Sequence, residues 1–254
     1  QWRSITFAAN NTMSINYDKF NYKLNENNNV VVEYSKNVFK PTGTSIELLN
    51  SCNKNITSIG NLLDLGCGNG FLGIALKKMN NYIKDLYASD ISLEAVNLTS
   101  KNAKKNNVKI TTKCGSILEP WENNKFDYII NDISGISESL SNVSGWFEGV
   151  SCKSGVDGTK LVIEALKNSI KHLNNNGKFF FPVLSFSHVE KILLFANNIY
   201  ENVELISHKE WVMPKDLQNN KDLLSSLKKK KYISYKEKFG LLIWYTSIYV
   251  AFNK

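Results

Sequence analysis

The chain has 254 residues, 43% of them hydrophobic and 21% charged, with thirteen Phe, eleven Tyr, five Trp and a net charge of +8. That is ample for one large domain, or a domain with a small appendage, and no apolar run reaches the ~20 residues that span a bilayer. Four scattered cysteines (Cys52, Cys67, Cys114, Cys152) without a CxxC pair argue against a disulfide framework or zinc site, and the three histidines (His172, His188, His208) lack metal-ligand spacing. With no leader pattern at the start, the expectation is a soluble cytoplasmic protein without metal chemistry or a membrane partner. The positive charge points to an anionic partner such as RNA, although "KKKK" at 228–231 reads as the solvated end of a helix.

In chain order, "SINYDKFNYKL" and "VVVEYSKNVF" flank an Asn-rich turn and predict a β-hairpin within residues 1–45. "KPTGTS" follows, with Pro41 and Gly43 as breakers and Thr44 or Ser45 as the N-cap of a helix over about 45–53. From residue 60 strands and helices alternate. "NLLDLG", "DLYASD", "VKITTKCGS", "KFDYIINDI" and "GKFFFPVL" read as strands, with helices "FLGIALKKM", "SLEAVNLTSKNAKKNN" and "GTKLVIEALKNSIKHL" between them. A helix "SHVEKILLFANNIY", a strand "NVELISHKEWV", a lysine-rich helix over about 216–230 and a last strand "LLIWYTSIYVAF" complete the chain. This pattern predicts a doubly wound, mostly parallel α/β sheet over residues 46–254, with the last two strands antiparallel at its edge.

The first core strand ends in "LLDLGCGNGFLG". Gly66, Gly68 and Gly70 leave no side chains where the chain turns sharply, so a ligand can approach the backbone. Asp90 ends the next strand beside that loop and can accept bonds from both ribose hydroxyls of a nucleoside. Two readings compete. Gly68, Gly70 and Gly73 spell the GxGxxG of dinucleotide sites, which would place a pyrophosphate at the helix starting near Phe71. Asp64 places an anion near the loop, which suits a cationic ligand better.

"LLDLGCGNGFLGIAL" resembles motif I of the class I methyltransferases that use S-adenosylmethionine (AdoMet), and the resemblance runs from about Phe39 to Phe252. It implies a seven-stranded Rossmann-like core and AdoMet as cofactor. Asp64 and the loop Gly66, Cys67, Gly68 and Gly70 would hold the methionine end. Asp90 and Ile91 would hold the ribose side, and Gly115, Ser116 and Ile117 the adenine, with Ser116 standing where members often carry Asp. "VFKPTGTSIELL" and "SGVDGTKLVIEALKNSIKHLNNNGKFFF" resemble the small-domain branch, which includes release-factor glutamine and ribosomal RNA methyltransferases.

In that branch the strand at 126–134 ends in an Asn-Pro-Pro-Tyr clamp, whose acceptors bind the N–H bonds of a planar nitrogen and aim it at the methyl group. Here Asn131 is kept, and Asp132, Ile133 and Ser134 replace the rest. Asn131 and Asp132 are therefore the expected catalytic pair, with Asn131 also reaching the cofactor. Asp132 has three readings: a base or cation binder, or a cap on the Gly135 turn. Thr44, Ser134, Trp146 and Phe147 are candidate substrate contacts. The expected activity is direct methyl transfer to a nitrogen on protein or RNA. A small-molecule methyltransferase using Asp132, and a catalytically silent binding module, are the alternatives.

Overall fold

The computed structural model describes residues 17–26, 28–133 and 135–253; of the expected hairpin extension, residues 1–16 lie outside them, as does the candidate Ser134. β1 (Asp18–Asn25) and β2 (Asn28–Tyr34) form a separate antiparallel pair, with Phe20 opposite Val32 and Tyr22 opposite Val30. Alternation puts Val30 and Val32 inward, both fully buried, while Phe20 and Tyr22 set their rings edge-on against Phe71 at 5.0 and 5.4 Å. The hairpin thus covers the start of the helix that follows the glycine loop.

The main sheet joins β3 (Gly60–Leu65), β4 (Ile83–Asp90), β5 (Thr111–Cys114), β6 (Phe126–Asn131), β7 (Leu173–Leu184), β8 (Asn202–Val212), β9 (Lys236–Lys238) and β10 (Leu241–Phe252). Their order is β5-β4-β3-β6-β7-β10-β8, with the short β9 alongside β10. β3 to β7 are parallel; β10 runs antiparallel to both β7 and β8. As the sequence implies, the last two long strands, β8 and β10, pair antiparallel at the sheet edge, with β10 lying between β7 and β8. Apolar residues on both sides of β10 let it lie inside the sheet, and the more polar β8 takes the rim.

Successive residues of the core strands face opposite layers. Leu62, Ile130 and Phe180 meet Leu48, Leu49, Ile74 and Ala103 of α1 (Gly43–Asn55), α2 (Phe71–Met79) and α3 (Leu93–Lys105). Leu63, Ile129, Phe179 and Phe181 meet Val162, Leu166, Ile192 and Ala196 on the other face. Because both faces are covered, these strands read as unbroken apolar runs rather than alternating ones. A third cluster lies beyond the strand ends. There α4 (Glu138–Ser141), which precedes α5 (Lys160–His172) and α6 (Val189–Ile199), packs with Phe147, Phe186, Met213 and Trp244.

Two local expectations change. α1 is capped by Thr42, two or three residues earlier than expected, and the Thr42 N–H donates to Ser45 Oγ at 3.2 Å. The lysine-rich helix is two helices, α7 (Lys215–Gln218) and α8 (Lys221–Lys229). Asn220 breaks them by turning its side-chain amide onto Asp216 O, the local competition that makes Asn a poor helix interior. No helix among the described residues is long and apolar enough to cross a membrane.

Candidate functional site

The C-terminal ends of β3, β4, β5 and β6 bring Leu65, Asp90, Cys114 and Asn131 to one edge of the sheet, the edge where ligands bind in open α/β folds. Between β3 and α2, Gly66, Gly68 and Gly70 all lie in the left-handed region, with φ of 74°, 53° and 80°. Three such turns in five residues demand glycine. A Cβ on Gly66 or Gly70 would strike Ile133 or Thr99, whereas one on Gly68 would meet nothing nearer than Phe39 O at 3.9 Å. The loop is therefore packed at its base and open at its tip.

Four of the five backbone donors from Gly66 to Gly70 are spent on the protein itself. Gly66 and Cys67 N–H both donate to Ser89 O, Gly68 N–H to Asp90 Oδ2 at 3.0 Å, and Gly70 N–H to Cys67 O. At the start of α2, Phe71 N–H donates to Asn69 Oδ1 and Gly73 N–H to Asp64 Oδ2 at 2.9 Å. A pyrophosphate needs such donors. What the loop keeps for a ligand is acceptor capacity, since each carbonyl and carboxylate oxygen has a second lone pair.

Charge points the same way. Asp64 is buried with Oδ1 unpaired, and burial raises its pKa to about 7 against the opposing Gly73 N–H bond, with Asp132 and Asp90 adding repulsion. Asp90 anchors both loops around it, accepting from Gly68 N–H and, through Oδ1, from Ser92 N–H at 2.9 Å. Next to it Ile91 is 76% exposed, an apolar surface without cover among the described residues. Gly115 N–H ties β5 to Asp90 O, and Ser116 O accepts from Glu119 N–H. Ile117 adopts φ 47°, a strained conformation for a β-branched residue. Cys67 presents a buried side chain, its thiol pushed far up by burial and its sulfur accepting from Thr99 Oγ1.

On the acceptor side, Asn131 is fully buried. Its Oδ1 accepts from Ile133 N–H at 3.4 Å and its Nδ2 has no partner among the described residues. An unsatisfied buried donor costs roughly 1–3 kcal/mol, so a ligand acceptor there would be favoured. Asp132 is half-buried, and its Oδ2 accepts from Ser45 Oγ at 2.7 Å. Burial lifts its pKa to about 6, with the Ser45 bond opposing. Ser45 thus joins the first turn of α1 to the end of β6, a link that residue spacing does not reveal.

The two aromatic candidates part ways. Phe147 packs its ring on Phe39 at 5.1 Å, and Phe39 O is the nearest atom to the open side of Gly68. Trp146 instead turns away onto Trp244 and Phe186, at 5.3 and 6.3 Å. Thr44 is buried, bonded to Thr246 Oγ1, which also accepts from Trp211 Nε1. Phe39, Ser45 and Thr99 are the contacts that sequence reasoning missed. The first two stand in "VFKPTGTS", whose position before motif I was the available signal.

Residues 33–132 match the family model of the methyltransferase small domain. The ribosomal protein L11 methyltransferase of Thermotoga petrophila is 30% identical over 114 residues, which are 44% of this chain and 42% of that protein. The release factor glutamine methyltransferase of Aquifex aeolicus is 29% identical over 123 residues, 45% and 42% respectively. The alignments thus span about four-tenths of these relatives. A T. thermophilus 16S rRNA methyltransferase in complex with AdoMet and guanosine superposes with a TM-score of 0.58 and 14% identity, covering 94% of this chain and 51% of that one. Residues 33–132 thus resemble the methyltransferase small domain, and the chain shares the α/β fold of that rRNA methyltransferase.

Proposed function

We propose that the chain is an AdoMet-dependent methyltransferase that modifies a nitrogen on RNA or protein. The observation that carries the proposal is the spent-donor glycine loop facing Asp64, Asp90 and Asp132. It offers acceptors and negative charge, which fit the ammonium and sulfonium of AdoMet and not the pyrophosphate of a nicotinamide dinucleotide. Asp90 would accept the ribose hydroxyls. Ile91 and the backbone from Gly115 to Ile117 would line the adenine, with Ser116 in place of the usual acid. Gly66 to Gly70, with Cys67 contributing backbone, would hold the methionine end above Asp64.

When bound, AdoMet supplies a methyl group activated by its sulfonium and transferred by in-line displacement. Asn131 positions the acceptor with its unpaired side-chain donor or, after an amide flip, with its oxygen. Asp132, steadied by Ser45, accepts an N–H of the acceptor and then its proton. The relatives act, by their names, on ribosomal protein, a release factor or ribosomal RNA; this supports a macromolecular acceptor. Incorporation of tritiated methyl groups into ribosomal subunits, separated into RNA and protein fractions, tests the reading. Asn131→Ala is expected to lower incorporation at least a hundredfold while the Kd for AdoMet changes less than threefold. Wild-type turnover in that variant would remove Asn131 from the acceptor site.

A further inference from the structure

The segment 228–238 carries six lysines against one glutamate, a net +5 of the chain's +8. Its lysines are all exposed, and Lys229, Lys230, Lys231 and Lys238 make no salt bridge among the described residues. Lys236 pairs with Glu210, and Lys228 lies 4.2 Å over the Tyr235 ring. Four lysines at the end of α8 are by themselves what the helix dipole favours. The neighbouring turn has no such explanation.

β9 and β10 are joined by a two-residue turn, Phe239-Gly240, in which both residues have positive φ, 54° and 74°. That geometry strongly prefers Asn-Gly or Gly-Gly. Here the first position holds a phenylalanine that is 94% exposed, the most exposed of the large hydrophobic residues described. It is strained and makes no ring contact among the described residues. Lys231, just past α8, also adopts the left-handed conformation, φ 59°, where glycine ordinarily ends a helix. At two turns, then, the fold's preferred residue is replaced by an aromatic or a basic one.

The patch stands at the ligand-binding end of the sheet. Thr246 of β10 pairs with Leu184 at the C-terminal end of β7, so residues 241–245 run past the parallel strands. The Phe239 turn projects roughly 20 Å beyond that point. Ser234 N–H bonds Ser185 O, and Leu224, Leu227 and Ile233 pack with Ile136, Leu140 and Phe147, which follow Asn131 in the chain.

We infer that the end of α8 and the β9–β10 hairpin form a docking surface for single-stranded RNA, with Phe239 stacking on a base and Lys228 to Lys231 and Lys238 tracking the phosphates. The inference extends the proposed methyl transfer to its substrate class. Binding is measured without AdoMet, so its failure leaves AdoMet binding and transfer to protein standing.

The test is fluorescence anisotropy with a fluorescein-labelled 20-nucleotide poly(U) RNA over a salt series. Replacing Lys228, Lys229, Lys230 and Lys231 together with Gln should weaken binding at least tenfold and flatten the salt dependence. Phe239→Asn suits the turn and should keep or raise Tm, yet weaken RNA binding about five- to tenfold at an unchanged salt slope. Unaltered RNA affinity in both variants would overturn the inference. So would poly-glutamate of matched length competing as well as unlabelled RNA, because the surface would then recognise charge alone, as on an acidic protein.

Discussion

In the proposed reaction, Asp132 is the residue on which the acceptor chemistry turns. Its pKa near 6 means that the carboxylate forms as pH rises through 6, and only that form can take a proton. Methyl transfer under kcat/KM conditions should therefore rise about tenfold per pH unit below 6 and level off above 7. Asp132→Asn should abolish that rise, and Ser45→Ala, by removing the opposing bond, should shift it to higher pH. A pH profile that is the same in wild type and both variants would remove Asp132 from proton transfer. Asp64 gives a stability prediction of defined sign. Its pKa is about 7 folded, against an ordinary 3.8, so the folded state holds a proton that the unfolded chain has lost between those values. Stability from this group is present below pH 4 and is lost as pH rises to 7, up to about 4 kcal/mol. Asp64→Asn, which keeps an acceptor for Gly73 N–H, should gain on wild type as pH rises from 4, reaching that order at pH 7 to 8 in urea unfolding.

At the scale of elements, what the residue pattern made legible was governed by local physics. α2 runs from Phe71 to Met79 as "FLGIALKKM" implies, and α3 starts at Ser92, whose hydroxyl accepts from Ala95 N–H. Where long-range contacts decide, the pattern is silent. The N-cap at Thr42 depends on Ser45, which is also committed to Asp132, and the position of β10 depends on which strand neighbours it. Ile117's left-handed backbone could not be anticipated either, since nothing local favours it. The β1–β2 hairpin belongs to the site's support: its Phe20 and Tyr22 hold Phe71 one residue beyond Gly70. Phe71→Ala should cost about 3–5 kcal/mol in urea unfolding and also weaken AdoMet, because the loop loses its backing. A variant with lowered stability and unchanged AdoMet affinity would separate the hairpin from the cofactor loop.

Across the molecule, one edge of the sheet gathers the glycine loop, three carboxylates, the unpaired Asn131 amide and the basic hairpin. The glycine-loop half of the proposed site is legible in sequence because motif I packs its residues into seven positions, Asp64 to Gly70, whose spacing survives any tertiary detail. The proposed acceptor half draws Ser45 of α1 to Asn131 and Asp132 at the end of β6, brought together only by folding, and "NDIS" by itself left the role of Asp132 open. The structure ties that carboxylate to Ser45 of α1.

The central claim is that the loop and Asp90 bind AdoMet, and calorimetric titration tests it most directly. Wild type should bind AdoMet at a single site with a micromolar Kd, Asp90→Ala at least tenfold more weakly, and NADH should give no heat. No detectable binding of AdoMet at millimolar concentration, or binding of NADH in its place, would contradict it.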